Sequence, residues 1–283
     1  MTTIQVDHTF LSRWVRKPEP QDHKYTRGVV GFATGSLEYP GAALIGVSAA
    51  LHTGVGMVRY LGPDVVSTML VTSHPEVVIA DNKVDAWVVG SGMASPLTEE
   101  TLARVVATQS SGVPVVLDAG GLDRVEDFGP LTILTPHEGE LRLVATRLGL
   151  ALEGSPVEIS QAVAKHLGHA VVVKGSITRV VNKEGSVWEL PVATPWLATA
   201  GTGDALAGII GALCAAWHDR IAEQPGCLPE IAATAALIHH TAAAYASATA
   251  AWDADSPSGG PFSVMDVCRQ VSGVIARVLS ESP

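Results

Sequence analysis

The sequence predicts an α/β fold: a doubly wound, mostly parallel central sheet with helices on both faces and an antiparallel hairpin at one edge. Three observations carry that reading. Short continuous apolar runs, the kind that strands buried on both faces require, alternate with helical stretches. Charged residues make up 16% of the 283 and apolar residues 47%, with Ala, Gly and Val abundant, which suits a sheet between two helix layers. Late in the chain the alternation gives way to two short runs flanking Asn182-Lys183-Glu184-Gly185, a hairpin signal.

Taken in order, Val29–Ala33 reads as a buried strand ended by Thr34-Gly35-Ser36. Pro40-Gly41 opens an Ala-rich helix to Thr53, with proline in a first-turn position where its missing N–H costs nothing. Gly54-Val55-Gly56 stops it, and Met57–Leu61 is the next strand. Ala86–Val89 is a third strand, closing in Gly90-Ser91-Gly92, and a helix follows from about Leu97 to Gln109. Val113–Leu117 ends at Asp118, and Leu131–Leu134 ends in Thr135-Pro136-His137. Helices are expected over Glu138–Leu148 and Pro156–His166, then a strand at Ala170–Val173 followed at once by Lys174-Gly175. Thr178–Val181 and Val187–Leu190 form the hairpin. Helices at Asp204–Trp217, Pro229–Ala250 and Phe262–Ser280 finish the chain, with a Pro/Gly/Ser loop at Asp253–Gly260. No linker or repeat divides it, so one domain over residues 1–283 is expected. Nearly every polar or glycine-rich segment follows a strand. In a parallel sheet such segments gather on the rim at the strands' carboxyl ends, where ligands bind.

Bulk properties exclude several classes. A net charge of −10 argues against binding a nucleic-acid backbone. Cys214, Cys227 and Cys268 form no metal or redox pattern and read as reduced intracellular thiols. The first twenty residues lack the apolar core of a signal peptide, and the longest apolar stretch, around Ala205–Trp217, is too short to span a bilayer. A soluble, cytoplasmic protein without membrane contact is the expectation.

Four segments can carry chemistry. In Ala200-Gly201-Thr202-Gly203-Asp204, glycines let amides approach a ligand, and the following helix aims its positive end there. A carboxylate at such an anion hole can take a proton from a hydroxyl attacking phosphorus; the plainer reading is a helix cap. No Gly-Lys-Ser/Thr occurs, so this is not a Walker A loop, and Leu206 breaks Gly-x-Gly-x-x-Gly. Gly90-Ser91-Gly92 is either a ligand-approach turn or simply a tight turn. Lys174-Gly175-Ser176-Ile177-Thr178 offers a cation and hydroxyls after a strand, or an ordinary β-turn with a solvated lysine. In Thr135-Pro136-His137-Glu138-Gly139-Glu140, a carboxylate can hold Mg²⁺ through water, or both glutamates can complement the helix dipole. Position 141 is Leu, so the zinc motif His-Glu-x-x-His fails. His239-His240, in an Ala-rich helix, reads as structural, and Trp87, Trp188 and Trp196 as core or rim packing.

The order of these segments is more specific than any one of them. With His23-Lys24, Gly31–Ser36, Glu38-Tyr39-Pro40-Gly41-Ala42-Ala43, Thr53–Gly56, Val116–Ala119 and Gly201–Gly208, the chain from about His23 to Thr249 resembles the ADP-dependent NAD(P)H-hydrate dehydratases, a branch of the ribokinase-like fold. The Tyr-Pro-Gly-Ala and Thr-Pro-His-x-Gly-Glu segments are the specific ones; Gly-Thr-Gly-Asp is shared by the wider kinase superfamily. The resemblance implies repair of the S epimer of hydrated NADH or NADPH, with ADP as co-substrate and AMP and phosphate as products. It implies Asp204 as the catalytic base. Ala42, Gly92 and His137, with Asp204, would line the dinucleotide site. Lys174, Gly175, Ser176, Ile177 and Thr178, with Gly201, Thr202 and Gly203, would bind the adenine nucleotide, and Glu140 would organise Mg²⁺ through water. A homo-oligomer, in particular a tetramer, is also implied, and no epimerase domain is expected. The alternatives are an ATP-dependent kinase of a vitamin-like alcohol on the same fold and a non-catalytic nucleotide-binding relative; the two specific segments favour the dehydratase. Two departures stand out. Asp118-Ala119-Gly120-Gly121 replaces the usual Asp-Ala-Asp, and Ser91-Gly92-Met93-Ala94 lacks the usual proline and final glycine.

Overall fold

The computed structural model describes residues 2–93, 98–109, 112–249 and 259–281. Its strands are β1 (Thr3–Gln5), β2 (Val29–Ala33), β3 (Met57–Tyr60), β4 (Ala86–Val89), β5 (Val115–Leu117), β6 (Thr132–Leu134), β7 (Ala170–Val173), β8 (Arg179–Val181) and β9 (Val187–Glu189). Its helices are α1 (His8–Leu11), α2 (Pro40–Thr53), α3 (Asp64–Ser73), α4 (Glu99–Gln109), α5 (Glu138–Arg147), α6 (Pro156–Leu167), α7 (Thr202–Ala216), α8 (His218–Glu223), α9 (Leu228–Thr249) and α10 (Val264–Glu281).

The described strands form one sheet in the order β1-β9-β8-β7-β6-β5-β4-β2-β3. Only β8 runs against its neighbours; every other pairing is parallel. The doubly wound, mostly parallel sheet with its hairpin is therefore as expected, with one addition: β1 docks beside β9 and covers the hairpin's outer edge. The expected strand at Val113 begins two residues later, and the expected start of α4 at Leu97 lies outside the described residues, as does most of the Asp253–Gly260 loop. α3, β1 and a 3-10 segment over Ala119–Asp127 were not anticipated.

Alternation along the strands builds two cores. Val30, Phe32, Val88, Val116, Ile133 and Val172 face the layer that contains α2, α7, α9 and α10. Their neighbours Val29, Ala33, Trp87, Val89, Leu117 and Val171 face α4, α5 and α6. Each large side chain so buried contributes ~2 kcal/mol. α7 lies in the middle of its layer and is buried from Ala205 to Ala215, which explains a sequence apolar on every side. Its approach to α2 is backbone to backbone: a Cβ on Gly208 would overlap the Gly46 carbonyl, and one on Gly46 would lie 3.3 Å from the carbonyl oxygen of Asp204. That crossing sets the first turn of α7 beside the sheet rim.

The chain steps outward from β2 to β3, then returns to lay β4 on the other side of β2. The loops leaving β2 and β4 consequently diverge, and the crevice between them is the topological switch point. The Gly35 amide bonds to the Ser91 carbonyl across it at 2.7 Å, and the Tyr60 hydroxyl holds the Thr34 carbonyl at 2.6 Å.

Candidate active site

The first turn of α7 faces this rim. Gly201 caps the helix at φ +92°, where an L side chain would be strained, and an added Cβ would sit 2.7 Å from Ile45 Cδ1. No side chain caps the helix, so amides of its first turn stay open to an anion. The Thr202 hydroxyl instead donates back to the carbonyls of Leu197 and Thr199, both at 3.0 Å, and fixes the preceding loop. Asp204 is three residues inside the cap, so it is not the cap residue that the plainer reading made it.

Lys174 joins this turn to the strand ends. Its ammonium donates to Asp118 Oδ1 at 2.7 Å and lies 3.8 Å from Glu140 Oε2. A Cβ on Gly203 would approach the same nitrogen to 3.2 Å. The parallel pairing of β6 and β7 produces this meeting, because the Lys174 amide bonds to the Pro136 carbonyl at 2.9 Å and His137 stands opposite Lys174. Asp118 is buried and also accepts from the hydroxyls of Ser91 (3.0 Å) and Thr135 (2.7 Å). Burial alone would lower the lysine's pKa; Asp118 and Glu140 outweigh it and raise it, so the ammonium is held charged.

The same cluster tunes Asp204. Burial, and then the negative charge of Asp118, push its carboxyl up to about 6, against the opposing pull of Lys174 and a hydrogen bond from Ser91. A carboxylate poised there is ionised at neutral pH yet basic enough to take a proton.

The remaining anticipated residues divide between two neighbouring places. Gly92 (φ +63°) lies directly against Ala42 at the switch point, where a Cβ on it would collide with Ala42 and approach the Tyr39 carbonyl to 2.9 Å. His137 is exposed at the same rim, opposite Lys174, and caps α5: its Nδ1 accepts from the Glu140 amide, while Glu140 Oε2 accepts from the His137 amide at 2.8 Å. Of the two roles weighed for Glu140 the helix-start one is seen: it is a capping-box member, 3.8 Å from the Lys174 ammonium. The nucleotide-side residues Lys174, Gly175, Ser176, Thr178, Thr202 and Gly203 line a cavity of about 500 Å³. Ile177 and Gly201 are not among its lining residues; Gly201 acts through backbone shape.

Three contributors were not anticipated as site residues. Asp118 appeared as a strand end and as part of the altered Asp-Ala-Asp segment, without a site role. The far wall of the cavity, Val192 to Pro195 with Leu197 and Ala198, follows β9, and the Thr194-Pro195 pair there is a turn signal that gives no hint of a ligand. His239 and His240, read as structural, line the cavity from α9. The tryptophans behave as expected: Trp87 and Trp188 are buried and Trp196 lies at the rim. All three cysteines are free and buried. The altered turn after β5 is tightly built. Ala119 adopts φ +45°, and a Cβ on Gly120 would lie 2.5 Å from the Met93 carbonyl oxygen. Among the described residues no cluster of three or more His, Cys, Asp or Glu could hold a metal, and no helix is long and apolar enough to cross a membrane.

A family model described as NAD(P)H-hydrate dehydratase matches residues 30–258. The chain belongs to the NAD(P)H-hydrate dehydratase family. Within that family it is 38% identical over 216 residues to the bifunctional NAD(P)H-hydrate repair enzyme Nnr of Mycobacterium tuberculosis, a match covering 72% of this chain and 44% of that protein. The chain thus spans less than half the length of these bifunctional relatives. Similarity to the ADP-dependent (S)-NAD(P)H-hydrate dehydratase of Xanthomonas campestris is 31% over 226 residues, covering 72% of this chain and 78% of that one. The fold matches the ADP/ATP-dependent NAD(P)H-hydrate dehydratase of Bacillus subtilis, co-crystallized with ATP/Mg²⁺, at a TM-score of 0.73 and 25% identity, over 97% and 96% of the two chains.

Proposed function

We propose that this chain is a nicotinamide-cofactor repair enzyme that dehydrates the S epimer of hydrated NADH or NADPH at the expense of ADP. The observation that carries the reading is the position of Asp204: a carboxylate with a raised pKa, at a helix N-terminus that no side chain caps, near a partly buried, charged lysine. Its chain neighbour Gly203 lines the nucleotide cavity, and Ser91, the chain neighbour of Gly92, lies beside its carboxylate. Hydroxide is a poor leaving group. Asp204 takes the proton of the C6 hydroxyl as that oxygen bonds to the β-phosphorus of ADP, and the bond to the bridging oxygen breaks to release AMP. The ring-nitrogen lone pair then expels phosphate from C6, and loss of the C5 proton restores the dihydropyridine.

The rest of the site serves charge. The amides at Gly203 and around it, with Lys174, stabilise the transferring phosphoryl group. Asp118 orients Lys174 and keeps the pKa of Asp204 high. Gly92 and Ala42 give the dinucleotide room for close backbone approach, with His137 at the rim. Mg²⁺ fits as an ion carried by the phosphates with most of its water shell, since the carboxylates here are engaged by Lys174 and backbone; Glu140 would hold it through water. Bound there, it supplies positive charge against the phosphates. A single catalytic domain in a cytoplasmic homo-oligomer, a tetramer, completes the proposal and is checked by light scattering.

The test is to incubate the protein with Mg²⁺, ADP and hydrated NADH and follow the NADH absorbance band, with Asp204→Asn and an ATP reaction alongside. Absorbance rising with ADP and silent in the variant supports the reading. No rise with either nucleotide overturns it.

A further inference from the structure

The turn after β4 holds a hydroxyl that the reaction above does not use. Ser91 is 2% exposed, and its Oγ donates to Asp118 Oδ2 at 3.0 Å. The Asp204 carboxylate lies within hydrogen-bonding reach of the same oxygen. The turn itself is pinned, because the Ser91 carbonyl accepts from the Gly35 amide at 2.7 Å across the switch-point crevice. One buried hydroxyl thus stands between two carboxylates. It is particular to this chain, since Ser91 stands at one of the two departures from the family pattern.

The two acids differ in what they need from it. Asp118 is anchored through Oδ1, which accepts from Thr135 and from Lys174, both at 2.7 Å. Asp204 has no such anchor: Lys174 acts on it through charge, and Ser91 is the side chain that bonds it. A serine hydroxyl has one proton and two lone pairs, so it can donate to one acid while it accepts from the other. While Asp204 is ionised, both acids compete for that proton. Once Asp204 has taken a proton from substrate, its own O–H can point at Ser91 Oγ, and the serine proton is left to Asp118. We propose that Ser91 is a positioning residue for the base: its hydroxyl holds one oxygen of Asp204 and so presents the other to the substrate hydroxyl. The role rests on the repair reading above; the contact does not. It favours the ionised carboxylate against burial and the charge of Asp118.

The other groups that face Asp204 are Asp118 and Lys174 from the strand ends, with Glu140 and His137 beyond Lys174. α2 carries only His52, in its last turn. His239 and His240 of α9 are held neutral by burial, and Asp266 and Arg269 at the start of α10 pair with each other at 2.6 Å. All of these are shared by the wild type, Ser91→Ala and Ser91→Thr, so differences in pH dependence among the three isolate the hydroxyl.

The experiment measures kcat and KM of the three proteins for hydrated NADH, with Mg²⁺ and ADP, across the acid limb. In the alanine variant the limb of kcat/KM is expected to move up by about one pH unit, the scale of one hydrogen bond to a charged group. The loss should fall on kcat, with KM within about twofold of the wild type. Threonine keeps the hydroxyl and should return the limb to its wild-type position. A folded alanine variant with an unmoved limb overturns the proposal, and so does a loss confined to KM, which would make Ser91 a wall of the dinucleotide site. If the alanine variant fails to fold, Ser91→Cys takes its place: a thiol is a weak donor, and the same upward shift is expected. The contact is also read without turnover, in protein carrying ¹³C at the aspartate carboxyls. The resonance missing from Asp204→Asn belongs to Asp204, and its titration midpoint should be higher in the alanine variant than in the wild type. A midpoint that moves in protein that leaves hydrated NADH untouched sinks the repair reaction and leaves the contact standing. An unmoved midpoint sinks the contact whatever the activity.

Discussion

Two helices open on the same rim with an acid at the third helical position, and they use it in opposite ways. In α5, Glu140 folds back onto the His137 amide while the His137 ring takes the Glu140 amide, so the helix start satisfies itself. In α7, the cap is Gly201, no side chain returns, and Asp204 is left to the cluster of Ser91, Asp118 and Lys174. The same backbone position is closed where a capping side chain returns to it and stays open where a glycine stands at the cap. The cost falls on α7, whose acid is held at a pKa unfavourable to its own ionisation.

Breaking the open end should give the largest effect. Asp204→Asn is expected to cut kcat at least a thousandfold, in line with loss of a general base at a site that also needs its charge. The folded pKa of about 6 lies above the unfolded 3.8, so the wild type loses stability as pH rises from about 4 to 6 and bears the full cost above that. The asparagine variant should therefore melt higher at pH 8, by on the order of 1–2 kcal/mol after allowing for screening, and show no advantage at pH 4. The free wild-type enzyme should lose kcat/KM as pH falls below about 6.

Asp118→Asn tests the tuning. It removes a negative charge that raises the pKa of Asp204 and frees Lys174 to pull on it more strongly. Both changes move the acid limb of the pH–rate profile to lower pH, with kcat down roughly ten- to a hundredfold through a misplaced lysine. A stability loss with an unmoved acid limb would reduce Asp118 to a structural role. Gly201→Ala attacks the cap itself: the φ of +92° and the nearness of Ile45 predict a destabilisation of roughly 1–3 kcal/mol by chemical denaturation, with weaker ADP binding. The smallest effect belongs to the closed end. Glu140→Gln keeps a capping-box side chain and should cost under about 0.5 kcal/mol, while raising the Mg²⁺ concentration needed for half-maximal rate. An unchanged Mg²⁺ requirement would make Glu140 a cap and nothing more.

Much of this frame could be read from residues alone, for definite reasons. β2, β4 and β7 were bounded correctly because each is an apolar run cut by a glycine or a polar turn, and α2 because Pro40 and Gly54 mark its two ends. Gly201 to Asp204 was visible as a glycine-rich helix start, and Lys174 as a residue directly following a strand. What stayed hidden depends on distance in the chain. Asp118 meets Lys174 across 56 residues, and nothing near either residue records the pairing. His239 and His240 sit among alanines whose pattern speaks only of packing. β1 is three residues long, and an edge strand that short leaves no alternation to read.

The crowding around Gly120 bears on how this site can change. With the Met93 carbonyl oxygen 2.5 Å from where a Cβ would stand, no side chain fits at position 120 on this backbone unless the turn after β4 moves with it. The two turns are therefore coupled: a side chain offered to the site from position 120 has to be introduced together with a change in the Gly90–Met93 segment.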